Sequence, residues 1–264
     1  MSIIDFHVHI FPEKIAEKAT RNIGAFYGIP MCHNGTVPNL LELGTKAGID
    51  RFLVHSTATK PEQVQSINDF VSGEVQKHPD RLIGFGTLHP GMEGAPAEID
   101  RMIRCGLQGV KLHPDFQLFN ADDRSMYPIY EELSGQLPVL VHAGDNRYDY
   151  SSPLRIDQVA RDFPNLTIIA AHLGGYTRWD EAYDVLYKRK NIYIDTCSSL
   201  AFLPPERARE IIHHYGVERV LFGTDFPMWD QEEELARFDA LGLTQNEREA
   251  ILHENAERLL GLTC

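Results

Sequence analysis

Short runs of β-branched and apolar residues recur along the chain at 3–9, 51–56, 82–88, 109–113, 138–142, 166–172, 191–196 and 219–225. Four apolar residues in a row, as in Ile168-Ile169-Ala170-Ala171, bury both faces of a strand, which is the habit of a parallel sheet. The intervening stretches change to a helical period. In 61–77, Val64, Ile67, Phe70, Val71 and Val75 share one face, and in 97–105 Ile99, Met102 and Ile103 do the same. Further helices are predicted over 126–133, 153–162, 180–189 and 204–214, the last opening on Pro204-Pro205. Strand alternating with helix eight times predicts parallel βαβ units, the number that closes a cylinder. The predicted fold class is α/β, a (β/α)8 TIM barrel forming a single domain over 1–264.

Two segments stand outside this alternation. The tail 230–262 predicts two more helices, and Thr244-Gln245-Asn246-Glu247 matches a capping box before the last. The stretch 11–50 is too long for an ordinary strand-to-helix connection. It combines a helical piece at 13–19 with Tyr27, Met31, His33 and Pro38, and reads as a lid or pocket wall.

Composition narrows the partners. Of 264 residues, 43% are hydrophobic and 24% charged, which excludes collagen-like and disordered classes. Thirty-eight acidic against 25 basic side chains give −13, a surface that repels phosphate backbones and anionic membranes. No nucleic-acid partner is expected. Met1 to His7 carry no basic leader segment, and no uncharged apolar run approaches the roughly 20 residues that span a bilayer. Cys32, Cys105, Cys197 and Cys264 are scattered, which fits reduced thiols and a cytoplasmic location.

The chemistry lies in the positions of histidines. His7, His9, His55, His113, His142 and His172 fall at or near the C-terminal ends of predicted strands. His89 follows the third run, and the eighth ends in Asp225. In a barrel those ends converge on one mouth. Asp5-Phe6-His7-Val8-His9 puts two imidazoles on one face, about 6–7 Å apart along the strand. His142 and His172 each follow a wholly apolar strand, and Asp225 comes from the strand that neighbours the first on closure. Three or four imidazoles with one carboxylate suit a divalent ion, zinc first, with manganese, iron or cobalt as alternatives.

Other groups keep two readings. Lys111 and His113 face the same way in Gly109-Val110-Lys111-Leu112-His113, either as pocket residues or as ordinary strand residues. Lys111 would hold a substrate carboxylate or, if carboxylated, bridge two metals. Arg147, in the polar loop after His142, either clamps an anion in bidentate fashion or pairs with Asp145 or Asp149. His33 is a candidate substrate contact. His55 and His89 read as structural or as supports behind the ligands, and His78, His213, His214 and His253 as solvated.

Together, His7-Val8-His9, Ala171-His172-Leu173-Gly174-Gly175, Phe222-Gly223-Thr224-Asp225-Phe226-Pro227 and Asn255-Ala256-Glu257-Arg258-Leu259-Leu260 resemble the amidohydrolase superfamily, in its amidohydrolase 2 branch. That branch includes aminocarboxymuconate semialdehyde decarboxylase. The resemblance covers essentially the whole chain. It implies one divalent metal, usually zinc, held by His7, His9, His142 and Asp225, with His172 beside it as proton shuttle. Asp225 would double as the base. It places Lys111 where binuclear members carry a bridging carboxylated lysine, although a single ion is usual in the branch.

Three functions follow. The first is metal-dependent hydrolysis of a small, anionic amide, ester or lactone. The second is non-oxidative decarboxylation of a small unsaturated or aromatic acid. The third is a silent barrel that only binds a ligand. A homodimer is a further expectation of the resemblance.

Overall fold

The computed structural model describes residues 2–262; Met1 and Cys264, which enter the sequence reading, lie outside the described residues. The strands are β1 Ile4–His9, β2 Arg51–His55, β3 Leu82–Gly84, β4 Gly86–Thr87, β5 Val110–Leu112, β6 Val139–Val141, β7 Ile168–Ala170, β8 Ile192–Asp195 and β9 Val220–Leu221. All pair in parallel, as β1-β2-β3 and as β4 through β9 in sequence order. β3 and β4 are one stave interrupted at Phe85. The Phe85 N–H donates to Val54 O (3.0 Å), while Gly86 N–H donates to Gly109 O on the other side (2.9 Å). The first and last staves meet through Phe6 N–H to Phe222 O (2.8 Å), Asp225 N–H to His7 O (2.9 Å) and His9 N–H to Phe226 O (2.7 Å). The result is the (β/α)8 barrel.

Alternation divides the strand residues between two cores. Phe6, Leu53, Ile83, Phe85, Leu140, Ile169 and Leu221 fill the cylinder, and Phe6 meets Phe85 edge to face at 5.9 Å. Phe52, Val54, Val110, Val139, Ile168 and Ile192 point outward into the helical layer. β1 breaks strict alternation. Between Asp5↔Phe52 and Val8↔Val54, two residues of β1 stand opposite one of β2. This bulge lets Phe6 plug the cylinder while His7 and His9 still enter the mouth.

The paired strands are shorter than the predicted runs. His113, His142, His172 and Asp225 lie just past the ladder. There the chain turns sharply, and His172 (φ 62°), Leu173 (φ 50°), Ser198 (φ 51°) and Asp225 (φ 61°) take left-handed backbone. Non-glycine residues held there carry strain that the surrounding packing must offset.

The segment 11–50 is more helical than its sequence suggested. It forms α1 Glu13–Tyr27 and α2 Val37–Lys46. α1 starts after Pro12 without a side-chain cap and buries only Ala16 and Thr20, although Ile15, Ala19, Ile23 and Phe26 recur at helical spacing along it. It ends on Gly28, whose left-handed backbone (φ 67°) closes the last turn. In α2, Gly44 lets the Phe52 ring lie against the helix, since a Cβ there would sit 2.1 Å from Phe52 Cζ. The predicted helix 180–189 is Trp179–Val185 followed by a tighter turn at Leu186–Lys188. The tail forms Gln231–Asp239, capped by Asp230, and a helix from Gln245 that ends at Leu260. Thr244 and Glu247 make the predicted capping box. Among the described residues no helix is long and apolar enough to cross a membrane.

Glu234 on the helix Gln231–Asp239 is wholly buried, pairs with Arg237 through one oxygen and has no partner for the other. Burial pushes its carboxyl up to about 7, against the pull of Arg237. A folded-state value above the unfolded 4.5 means stability present below 4.5 and lost as pH rises towards 7. Glu234→Gln should flatten the loss of urea midpoint between those pH values. An unchanged slope would contradict this assignment.

Candidate metal centre

Each candidate side chain reaches the mouth because its backbone leaves the barrel there. Thr224 fixes the last turn, its N–H and hydroxyl both donating to Asp5 (2.9 and 2.5 Å). Asp225 follows, with Oδ1 3.3 Å from His9 Nε2 and 3.6 Å from His7 Nε2. The His7 ring centroid stands 5.3 Å from His9 and 5.4 Å from His172. His172 Nε2 is 2.8 Å from His142 Nδ1. His7, His9, His142, His172 and Asp225 therefore line one small cavity of about 20 Å³.

Burial sets the protonation. It pushes the rings of His7, His9 and His142 below the usual imidazole range and His172 to about 4, so the nitrogens face the cavity as neutral lone-pair donors. For Asp225 burial works the other way, but His7, His9 and His172 outweigh it and hold the carboxyl well below its usual value. Ser198 Oγ donates to Asp225 Oδ2 (2.5 Å) and itself accepts from Trp229 Nε1 (2.8 Å). Neutral imidazoles around a carboxylate are an N/O donor set that suits a divalent cation. His142 Nε2 is buried without a hydrogen-bond partner and lies 3.8 Å from Asp115 Oδ2, while its Nδ1 meets His172.

The donors are not one tight group. Among the described residues, those with ligand atoms within 4.8 Å of each other are His7-His9-His55, His7-Asp195-Cys197, His113-Asp115-His142 and His172-Cys197-Asp225. The third is a poor cation site. His113 and His142 stack at 4.0 Å and 8°, so their in-plane lone pairs run parallel instead of converging.

Asp195 and Cys197 were not singled out from sequence. Asp195 accepts from His7 Nδ1 (2.8 Å), from the His172 N–H (2.9 Å) and from the Cys197 thiol (2.8 Å). Burial opposes its charge, yet His7, His172 and Cys197 together hold it below the usual carboxylate range. An ionised Asp195 only accepts, so the His7 proton sits on Nδ1 and the Nε2 lone pair faces Lys111 Nζ (3.0 Å), with Asp225 Oδ1 at 3.6 Å. The signal was available, because Asp195 lies next to the last residue of the seventh run, near a strand end as the histidines are.

Of the candidate substrate contacts, Lys111 and His113 line the cavity. Lys111 is fully buried with Nζ 3.0 Å from His7 Nε2, and burial pulls its ammonium below the usual range. His113 Nε2 meets Tyr27 OH at 2.9 Å, so α1 does supply a wall. Arg147 takes the ion-pair alternative. It pairs with Asp145 (2.6 Å), donates to Phe26 O and lies 4.6 Å over the Phe26 ring. His33 bonds Asp230 (2.9 Å), stacks on Phe226 and is not among the cavity's lining residues.

The remaining histidines divide. His89 is structural, its Nδ1 accepting from Gly91 N–H (3.0 Å). His55 is wholly buried against His7 and His9. His214, expected to be solvated, stacks on Tyr183 at 3.7 Å and bonds its carbonyl.

Asp195→Asn should weaken zinc binding by roughly 10–100-fold in a chelator competition, because His7 loses the acceptor that fixes its tautomer. An unchanged affinity would remove Asp195 from this role.

The Amidohydrolase family model matches residues 4–262. A curated relative, 2-amino-3-carboxymuconate-6-semialdehyde decarboxylase of Dictyostelium discoideum, is 35% identical over 72 residues, 26% of this chain and 20% of its own length. The matched stretch thus spans about a fifth of that relative. An uncharacterised TIM-barrel protein of Bordetella bronchiseptica superposes with TM-score 0.80 at 24% identity, covering 99% of both chains. Dihydroxybenzoic acid decarboxylase of Polaromonas sp. JS666, solved with bound manganese and the inhibitor 2-nitroresorcinol, superposes with TM-score 0.78 at 17% identity. It covers 99% of this chain and 97% of its own. The match over nearly the whole chain, on this barrel and this mouth, makes the protein a member of the Amidohydrolase family of metal-dependent enzymes.

Proposed function

We propose that the protein is a hydrolase of a small, anionic amide, ester or lactone, working with one divalent ion, most readily zinc, held by His7, His9, His142 and Asp225. The observation that carries this reading is the Asp225 carboxylate facing the Nε2 atoms of two neutral imidazoles at 3.3 and 3.6 Å. A cation bound there supplies Lewis acidity and brings the pKa of a water to about 7. The remaining work belongs to the chain. Asp225, kept ionised and oriented by Ser198, accepts the proton of the attacking water. His172, neutral and with a ring nitrogen within 4.8 Å of an Asp225 oxygen, takes up that proton and hands it to the leaving group, returning to its neutral form. Among the described residues, Lys111 is the one lysine or arginine lining this cavity, and it attracts the substrate's negative charge. Tyr27, Phe116 and Tyr176 wall the cavity and exclude bulk water.

The second reading is decarboxylation of a small unsaturated or aromatic acid. It is favoured by the aromatic wall and by the decarboxylases among the similar proteins. The same cavity and Lys111 would hold the acid's ring and carboxylate. Product analysis separates the two. Metal-loaded protein incubated with lactones, amides, esters and small carboxylic acids should hydrolyse a member of the first three groups. Asp225→Asn should slow that turnover by about 10²–10⁴-fold. Carbon dioxide release from an acid, with no hydrolysis anywhere in the panel, would contradict the hydrolase and support the decarboxylase.

A further inference from the structure

His55 is left without a task by the ligand set above. It ends β2 directly beside His9, its Cα partner in the parallel ladder. Its side chain is fully buried, with the ring edge-on to His7 at 4.9 Å and 77° and to His9 at 4.5 Å and 85°. Neither ring nitrogen has a hydrogen-bond partner. One nitrogen of His55 lies within 4.8 Å of a nitrogen of each of those two rings.

A neutral imidazole carries one N–H and one lone pair. Perpendicular packing offers an N–H at most a weak contact with a ring face. It leaves the lone pair unanswered. Polar groups sealed from water are normally paired, so an imidazole with two idle nitrogens marks a missing partner. Its neighbours here are themselves lone-pair donors, and what joins lone pairs is a cation.

We propose that His55 is a further nitrogen ligand of the divalent ion held at His7 and His9, so that adjacent strands β1 and β2 both ligate it. This rests on the metal-centre reading above and extends it. Each added imidazole tilts the site from oxygen-preferring ions such as magnesium and manganese towards zinc and cobalt.

The test is NMR of protein labelled with ¹⁵N-histidine and loaded with ¹¹³Cd, with His55 assigned through its own backbone. Coupling of cadmium to a ring nitrogen of His55, as well as to His7 and His9, is the expected result. In parallel, His55→Phe, which keeps ring volume but has no nitrogen, should weaken cadmium and zinc binding at least about tenfold while the metal-free melting temperature holds. Coupling at His7 and His9 without His55 would overturn the proposal and leave the metal centre standing. Coupling at no histidine would overturn the centre itself.

Discussion

The structure turns on a carboxylate kept ionised among neutral imidazoles at the seam where the last strand meets the first. Asp225 and the β1 histidines are more than 200 residues apart in the chain, yet the Asp225 N–H donates to the carbonyl of His7 itself. Closing the barrel and assembling the site are therefore one event. In this desolvated mouth an unpaired charge is expensive, and an array of lone pairs around it is more so. A divalent cation relieves both at once.

The neighbouring backbone is shaped to tolerate that arrangement. The β1 bulge separates a residue that plugs the cylinder from two that face the mouth. Gly223 sits so close that a Cβ would come within 2.8 Å of His7 Cβ, so glycine at that position lets the seam close over the histidine. Left-handed turns at His172 and Asp225 aim their side chains inward. Asp195, Ser198, Trp229 and Cys197 then fix what the backbone has aimed. These hydrogen bonds orient the mouth's side chains within the fold itself.

The barrel was legible because both signals behind it are local. Apolar runs buried on both faces mark the staves, and helical spacing marks the layer outside. The histidines were legible for a topological reason: in a parallel barrel every strand end points to the same place. What escaped were features that depend on tertiary partners. α1 has helical spacing but no N-terminal side-chain cap, and only the fold shows that it carries Tyr27 over the mouth. Arg147 had anionic partners two residues away on either side, and only the fold shows that Asp145 takes it. His55 and Asp195 obeyed the strand-end rule, but no pattern in the chain separates a ligand from its support. That distinction lies in which nitrogen faces which oxygen.

The most direct measurement is a crystal structure of metal-replete protein with anomalous scattering at the zinc and manganese edges, alongside elemental analysis. The account predicts one divalent ion per chain, bonded to nitrogen of His7 and His9 and to oxygen of Asp225. A replete preparation without bound metal, or an ion bound elsewhere with these side chains unengaged, would contradict it.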